Sequence, residues 1–191
     1  YGSGLSDQTV RGCHTTLRSA LEMAVSKKLI NRNPADGCRL PPAKPREMQV
    51  LTPDEVQHLL IQAKEDGCYE LLLLEIATGL RRGELLALQW DDLNFKTGTL
   101  RVERQIHRAK GELIVSQPKT KAANRTIILP APLLAVLKEY RQQVHSRWMF
   151  PSPRKDDLPL DPASVRKHLT TILERAGCRH IRFHDLRHLF A

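Results

Sequence analysis

Tyr69-Glu70-Leu71-Leu72-Leu73-Leu74-Glu75-Ile76-Ala77-Thr78-Gly79-Leu80-Arg81-Arg82-Gly83-Glu84-Leu85-Leu86-Ala87-Leu88 is the stretch whose reading decides the fold. Tyr69 to Ala77 is nearly all apolar, which predicts a buried helix. Thr78-Gly79 interrupts it, and a second short helix is expected through Leu85, Leu86 and Leu88, closed by Trp90. Two guanidinium groups, Arg81 and Arg82, therefore sit on a glycine-flanked turn between two buried elements, where they are held rigidly.

Working outward toward the N-terminus, Thr52-Pro53-Asp54-Glu55 carries a capping residue, a first-turn proline and a glutamate at the capping-box position, so a helix starts there. Val56, Leu59, Leu60 and Ala63 form its buried face, and Gly67 offers a left-handed stop. The run Pro41-Pro42-Ala43-Lys44-Pro45 cannot hold a helix or an inner strand and reads as an extended linker. Before it, Val10, Leu17, Leu21, Ala24 and Val25 recur at helical spacings, predicting an amphipathic helix over 8–29 that Asn31, Asn33 and Pro34 break. Two units are expected, 1–46 and 47–191.

Working outward toward the C-terminus, the pattern becomes alternation. Leu100, Val102 and Ile106 lie on one side of Ala109-Lys110-Gly111, with Leu113 and Val115 on the other, which predicts a hairpin. Pro118 interrupts, Lys119 to Asn124 make a polar tip, and Thr126 to Leu129 make a third short strand. Helices are expected over 132–146 and, after Phe150-Pro151-Ser152-Pro153, over 162–176, the latter with Asp161 as cap and Gly177 as stop. His184 to Ala191 reads as the opening of another helix. The expected fold class is mainly α with a small antiparallel β-sheet, an α+β arrangement.

Composition narrows the partners. With 191 residues and 41% hydrophobic content the chain can bury one good core and a small second unit. Its uninterrupted apolar runs, Leu71 to Leu74 among them, are far below the ~20 residues of a membrane span. Residues 1–30 lack the apolar block of a signal peptide, so a soluble, cytoplasmic protein with no membrane partner is expected. Cys13, Cys38, Cys68 and Cys178 form no CxxC pair, which argues against a disulfide framework or a cysteine-rich zinc site and suggests reduced core thiols. The formal charge is +9. Lys and Arg outnumber Asp and Glu eight to four in 1–50 and eighteen to eight in 101–191, whereas 51–100 is acidic, four against nine. A basic excess at both ends suits a protein that grips a polyanion with its N-terminal unit and with the far half of its second unit.

Three separated segments could do chemistry: the Arg81-Arg82 turn, Lys119 on the polar tip, and His184-Asp185-Leu186-Arg187-His188. On a helix His184 and Arg187 share one face, while Leu186, Leu189 and Phe190 can face the core. His184 and His188 stand at a metal-ligand spacing, but no acidic or cysteine partner with ligand spacing accompanies them, so no metal cofactor is expected.

In order and spacing these segments resemble the tyrosine recombinases, the phage integrase family of phage and conjugative-transposon integrases and XerC/XerD-type resolvases. The family's TGxRxxE box is matched by Thr78 to Glu84, its hairpin lysine by Pro118-Lys119-Thr120-Lys121 with Arg125-Thr126-Ile127 following, and its second box by His184 to His188. Leu29-Ile30-Asn31-Arg32-Asn33-Pro34-Ala35 is similar to the end of the family's helical core-binding domain, and Trp148-Met149-Phe150-Pro151-Ser152 to the segment before its late helices.

The resemblance implies a site-specific DNA recombinase of a mobile element in a bacterial cell. It would act as a homo-tetramer on paired sites in double-stranded DNA, cutting and rejoining strands through a 3′-phosphotyrosyl link without metal or ATP. Residues 1–46 become the C-terminal part of the core-binding domain, and 47–191 the catalytic domain. Arg81 and Arg187 would hold the non-bridging phosphate oxygens, as bidentate, permanently charged groups can. Lys119, or its neighbour Lys121, would protonate the leaving 5′-oxygen. His184 would bond the phosphate and help remove the tyrosine proton. Glu84 would brace the arginine turn, and His188 would pack or support. Arg11, Arg18, Lys27, Lys28, Lys121 and Arg125 are the candidate DNA-binding residues. The family also expects a further His or Trp and a nucleophilic tyrosine beyond the second box. Tyr1, Tyr69 and Tyr140 all precede that box, so the nucleophile is expected to be missing from this sequence, which reads as truncated at both ends. An inactive DNA-binding regulator and a type IB topoisomerase-like enzyme are the alternative readings.

Overall fold

Thr52 starts the second unit as its sequence predicts: its hydroxyl accepts from the Glu55 N–H and the Glu55 carboxylate accepts from the Thr52 N–H at 2.8 Å, a reciprocal capping box. The computed structural model describes residues 4–42, 50–117 and 124–190. They fall into two compact units, Tyr1–Glu47 and Met48–Ala191.

In the first unit α1 spans Asp7–Ser26 and is capped by Ser6, whose hydroxyl accepts from the Thr9 N–H. It is shorter than the 8–29 expected at its C-terminal end, because Lys28 turns to a positive φ. No residue of α1 is buried, and Leu17 of the anticipated apolar face is 56% exposed. What fastens the following segment to this helix is polar. Asn33, itself buried, donates to the Arg18 carbonyl and the Glu22 carboxylate and accepts from the Ala35 N–H.

The second unit holds α2 (Pro53–Glu65), α3 (Tyr69–Thr78), α4 (Arg82–Leu86), α5 (Ala131–Gln143) and α6 (Pro162–Arg175). A single apolar core joins them, built around Leu59, Leu72, Leu74, Leu85, Leu100, Leu137, Ile172 and Leu186. The strands divide among three small antiparallel sheets. β1 (Leu93–Asn94), β2 (Thr99–Val102) and β5 (Arg125–Ile128) make one in the order β1-β2-β5; β3 (Gln105–Ala109) pairs with β4 (Glu112–Ser116), and β6 (Pro151–Ser152) with β7 (Lys155–Pro159). The hairpin is therefore β3–β4 alone, closed by Lys110 and Gly111 at positive φ. Leu100 and Val102, assigned to it from the alternation, belong to β2, whose partners are β1 and β5. The break has a cause: between the two strands Arg104 leaves the ladder and pairs with the buried Asp92.

Two further expectations are corrected. The last segment is a 3₁₀ helix, Phe183–Leu189, instead of the opening of an α-helix. The four cysteines are free, but none is buried: Cys13 and Cys38 are exposed, Cys68 and Cys178 half-buried.

Candidate functional site

Gly79 ends α3 in the left-handed conformation, φ +56°, where a side chain is strained. A Cβ there would also lie 3.2 Å from Phe190, so the end of the 3₁₀ segment closes directly on this turn. Leu80 is fully buried behind it, and Arg81 follows in extended conformation as the N-cap of α4.

Glu84 fixes the arginine. Its carboxylate is 3% exposed and accepts from the Arg81 N–H and from Arg81 Nη1, both at 3.0 Å. Arg125 of β5 reaches it from the other side, with Nη2 donating at 2.7 Å. Burial pushes this carboxyl up, but the hydrogen bonds from Arg125 and Arg81 outweigh burial and hold it below the ordinary glutamate value. The Arg81 side chain remains 61% exposed, so Glu84 holds one corner of its guanidinium while the rest faces solvent, where it can meet an anion. Arg125, a candidate DNA contact by sequence, is engaged with Glu84.

Gly83 was read only as part of the turn, and its role is steric. A Cβ at Gly83 would lie 2.5 Å from the Ile106 carbonyl oxygen, because β3 crosses α4 at this point. A glycine inside the first turn of a helix was the available signal, since helices otherwise avoid it.

The second box gains from its 3₁₀ geometry. At three residues per turn, side chains three apart eclipse. Phe183 and Leu186 are buried and Leu189 half-buried along one line, while His184 and Arg187 fall on the next. His184 is exposed and Arg187 half-buried. Asp185 secures the start: its carboxylate accepts from the Arg182 backbone at 2.9 Å and from Arg182 Nη2 at 2.7 Å, and these contacts keep its carboxyl below the usual range. His188 stacks edge-on against His184, ring centroids 6.1 Å apart.

Beside this segment lies an open cleft of about 850 Å³ between α6 and residues 180–184. Arg82, Arg166, Lys167, His180, Arg182 and His184 line it, over apolar walls from Leu169, Ile181 and Phe183. Among the described residues no carboxylate lines it. Arg166, Lys167 and His180 were not singled out by sequence reasoning; they add to the basic excess after residue 100, but nothing in their spacing marks them. Asp161, whose carboxylate caps α6 by accepting from Ala163, also pairs with Arg108 of β3, which ties the hairpin to the helix that walls the cleft.

Of the remaining candidates, Arg11, Arg18, Lys27 and Lys28 lie in the first unit. Arg11 donates to the Pro41 carbonyl and Arg18 pairs with Asp36, while Lys27 and Lys28 are exposed at the end of α1. Lys119 and Lys121 lie outside the described residues. Among the described residues no group of three His, Cys, Asp or Glu side chains stands where it could hold a metal ion, and no helix is long and apolar enough to cross a membrane.

Residues 49–191 match the model of the phage integrase family. The chain belongs to that family. Curated members similar to it include a XerC-like tyrosine recombinase of Caldanaerobacter subterraneus, 28% identical over all of this chain and 56% of the relative. The ICEBs1 integrase of Bacillus subtilis is 26% identical over 97% of this chain and 54% of the relative, and the tyrosine recombinase XerA of Pyrococcus furiosus 33% over 84% and 50%. The chain thus spans about half the length of these phage integrase family relatives. Among solved structures, the Tn1549 transposon integrase in complex with a circular intermediate DNA superposes with a TM-score of 0.86 at 19% identity, over 98% of this chain and 66% of that one. A lambda integrase dimer bound to a core site gives 0.66 at 23% identity, over 93% and 63%. At these identities the likeness establishes the phage integrase fold, mainly helical with small antiparallel sheets.

Proposed function

We propose that this chain is the phosphate-gripping part of a site-specific DNA recombinase of a mobile element, working as a homo-tetramer on paired DNA sites in the bacterial cytoplasm. The observation that carries the reading is the closure of the 183–189 segment on the α3–α4 turn, with Phe190 against Gly79. That packing supports a shared anion site for Arg81, held by Glu84 at its backbone N–H and at Nη1, and Arg187, whose guanidinium has no hydrogen-bond partner among the described residues.

In this reading the tyrosine hydroxyl attacks the scissile phosphorus, the bond to the 5′-oxygen breaks, and a 3′-phosphotyrosyl ester forms. The charge on the non-bridging oxygens is met by Arg81 and Arg187, an electrostatic role suited to preorganised guanidinium groups. His184, exposed beside Arg187 on the same 3₁₀ face, bonds the phosphate and helps take the tyrosine proton. Lys119 protonates the departing 5′-oxygen, and attack by a partner strand's 5′-hydroxyl reverses the step. Tyr140 does not serve as nucleophile: it packs between Trp90 and Phe150, and burial pushes its hydroxyl up to about 12. Tyr69 opens α3, ahead of both boxes, whereas the nucleophile of this reading is a tyrosine that follows the second box. The cations of the cleft, Arg82, Arg166 and Lys167, carry the flanking DNA backbone.

The test uses the natural protein that contains this chain and a nicked suicide substrate bearing its recombination site. A covalent protein–DNA adduct should form, and Arg81→Ala and Arg187→Ala should each lower its rate at least ~100-fold. An adduct that forms equally well in Arg81→Ala would overturn the reading.

A further inference from the structure

Glu75 lies in the last turn of α3, is 0% exposed, and has no hydrogen-bond partner among the described residues for either carboxylate oxygen. A buried glutamate with both oxygens bare is costly unless it keeps its proton or meets a cation. The 183–189 segment packs on α3, and α4 follows it across the Gly79 turn. From these elements the charged groups that act on Glu75 are Arg187, which favours ionisation, and Glu84, which opposes it. His188, the other titratable neighbour on that segment, acts on Asp185. The two other helices packed on α3 bury apolar residues, Leu59 and Ala63 of α2 and Leu133 and Leu137 of α5. Glu84 is saturated by Arg81 and Arg125, which leaves Glu75 as the carboxyl with nothing but Arg187 to answer it.

We propose that Glu75 is a positioning residue for Arg187, a buried carboxyl that, once ionised, draws the guanidinium back toward α3 and so competes with DNA phosphate for it. The proposal rests on the reading of Arg187 as a phosphate ligand. Burial lifts the Glu75 carboxyl to about 8, with Arg187 pulling it down and Glu84 pushing it up. A phosphate on Arg187 cancels the charge that favours ionisation, so DNA binding and proton retention at Glu75 reinforce one another. The device is off at neutral pH and engages as pH rises through about 8.

The experiment measures the affinity of a labelled DNA duplex at fixed salt between pH 7 and 9.5, where phosphodiesters do not titrate. The parent, Glu75→Gln, Glu75→Met, Arg187→Ala and the Glu75→Gln/Arg187→Ala double variant are compared, each checked for cooperative thermal unfolding. The parent should lose roughly five- to tenfold more affinity across this range than Glu75→Gln or Glu75→Met, the scale of one charge-assisted contact. In the Arg187→Ala background the glutamine should make no difference to the profile. Parallel profiles for parent and both Glu75 variants, with Arg187→Ala weaker at every pH, would overturn the role of Glu75 and leave the recombinase reading standing. An Arg187→Ala variant that binds like the parent at every pH would overturn both.

Discussion

The last turn of α3 and the first turn of α4 each bury a glutamate, nine residues apart on either side of the same glycine. Glu84 is surrounded by donors from Arg81 and Arg125, and its carboxyl is held low. Glu75 has none, and its carboxyl is lifted to about 8. Two side chains of the same type, both closed off from solvent, thus hold different protonation states at neutral pH. The difference shows that the partner, more than the depth, decides what a buried carboxyl does.

Breaking the satisfied side should have the largest effect. Glu84→Ala removes the counter-charge of both arginines and should cost about 2–3 kcal/mol in urea unfolding at pH 7, less than a fully buried pair because the Arg81 side chain is 61% exposed. Its stabilising contribution has the usual sign for a depressed carboxyl: present above the unfolded value near 4.5 and lost as pH falls through the folded one.

Glu75 has the opposite sign. Its folded form keeps a proton that the unfolded chain releases above about 4.5, so stability falls as pH rises from there to about 8 and is level beyond. Glu75→Met should therefore stabilise the chain at pH 8 by about 2 kcal/mol, with the gain shrinking toward pH 5. A gain equal at both pH values would mean that packing, not ionisation, separates the two glutamates.

Smaller effects sharpen the comparison. Gly83→Ala puts a methyl against the Ile106 carbonyl and should cost about 1–2 kcal/mol while loosening protection of the β3–β4 hairpin in hydrogen exchange, leaving Glu75 untouched. Asp161→Ala, far from both glutamates, should cost only the helix cap and an exposed ion pair, about 1 kcal/mol, measured by thermal unfolding.

Much of this was legible in the chain. The capping box at Thr52, the glycine stops at Gly67 and Gly177, the cap at Asp161 and the apolar run of α3 depend on neighbours within a few residues, so sequence determines them. The order of the two boxes was equally local, and it pointed to the family to which the chain belongs. Tertiary structure alone decided the rest. Alternation could not say that Leu100 and Ile106 lie in different sheets, because it does not name a strand's partners: β1 and the more distant β5 for one, the adjacent β4 for the other. Periodicity could not distinguish a 3₁₀ helix from an α-helix over seven residues, nor foresee that β3 would press on Gly83. Least visible of all was the contrast between Glu75 and Glu84. Protonation of a buried acid is set by which donors and cations the fold brings within a few ångströms, and no spacing along the chain encodes that.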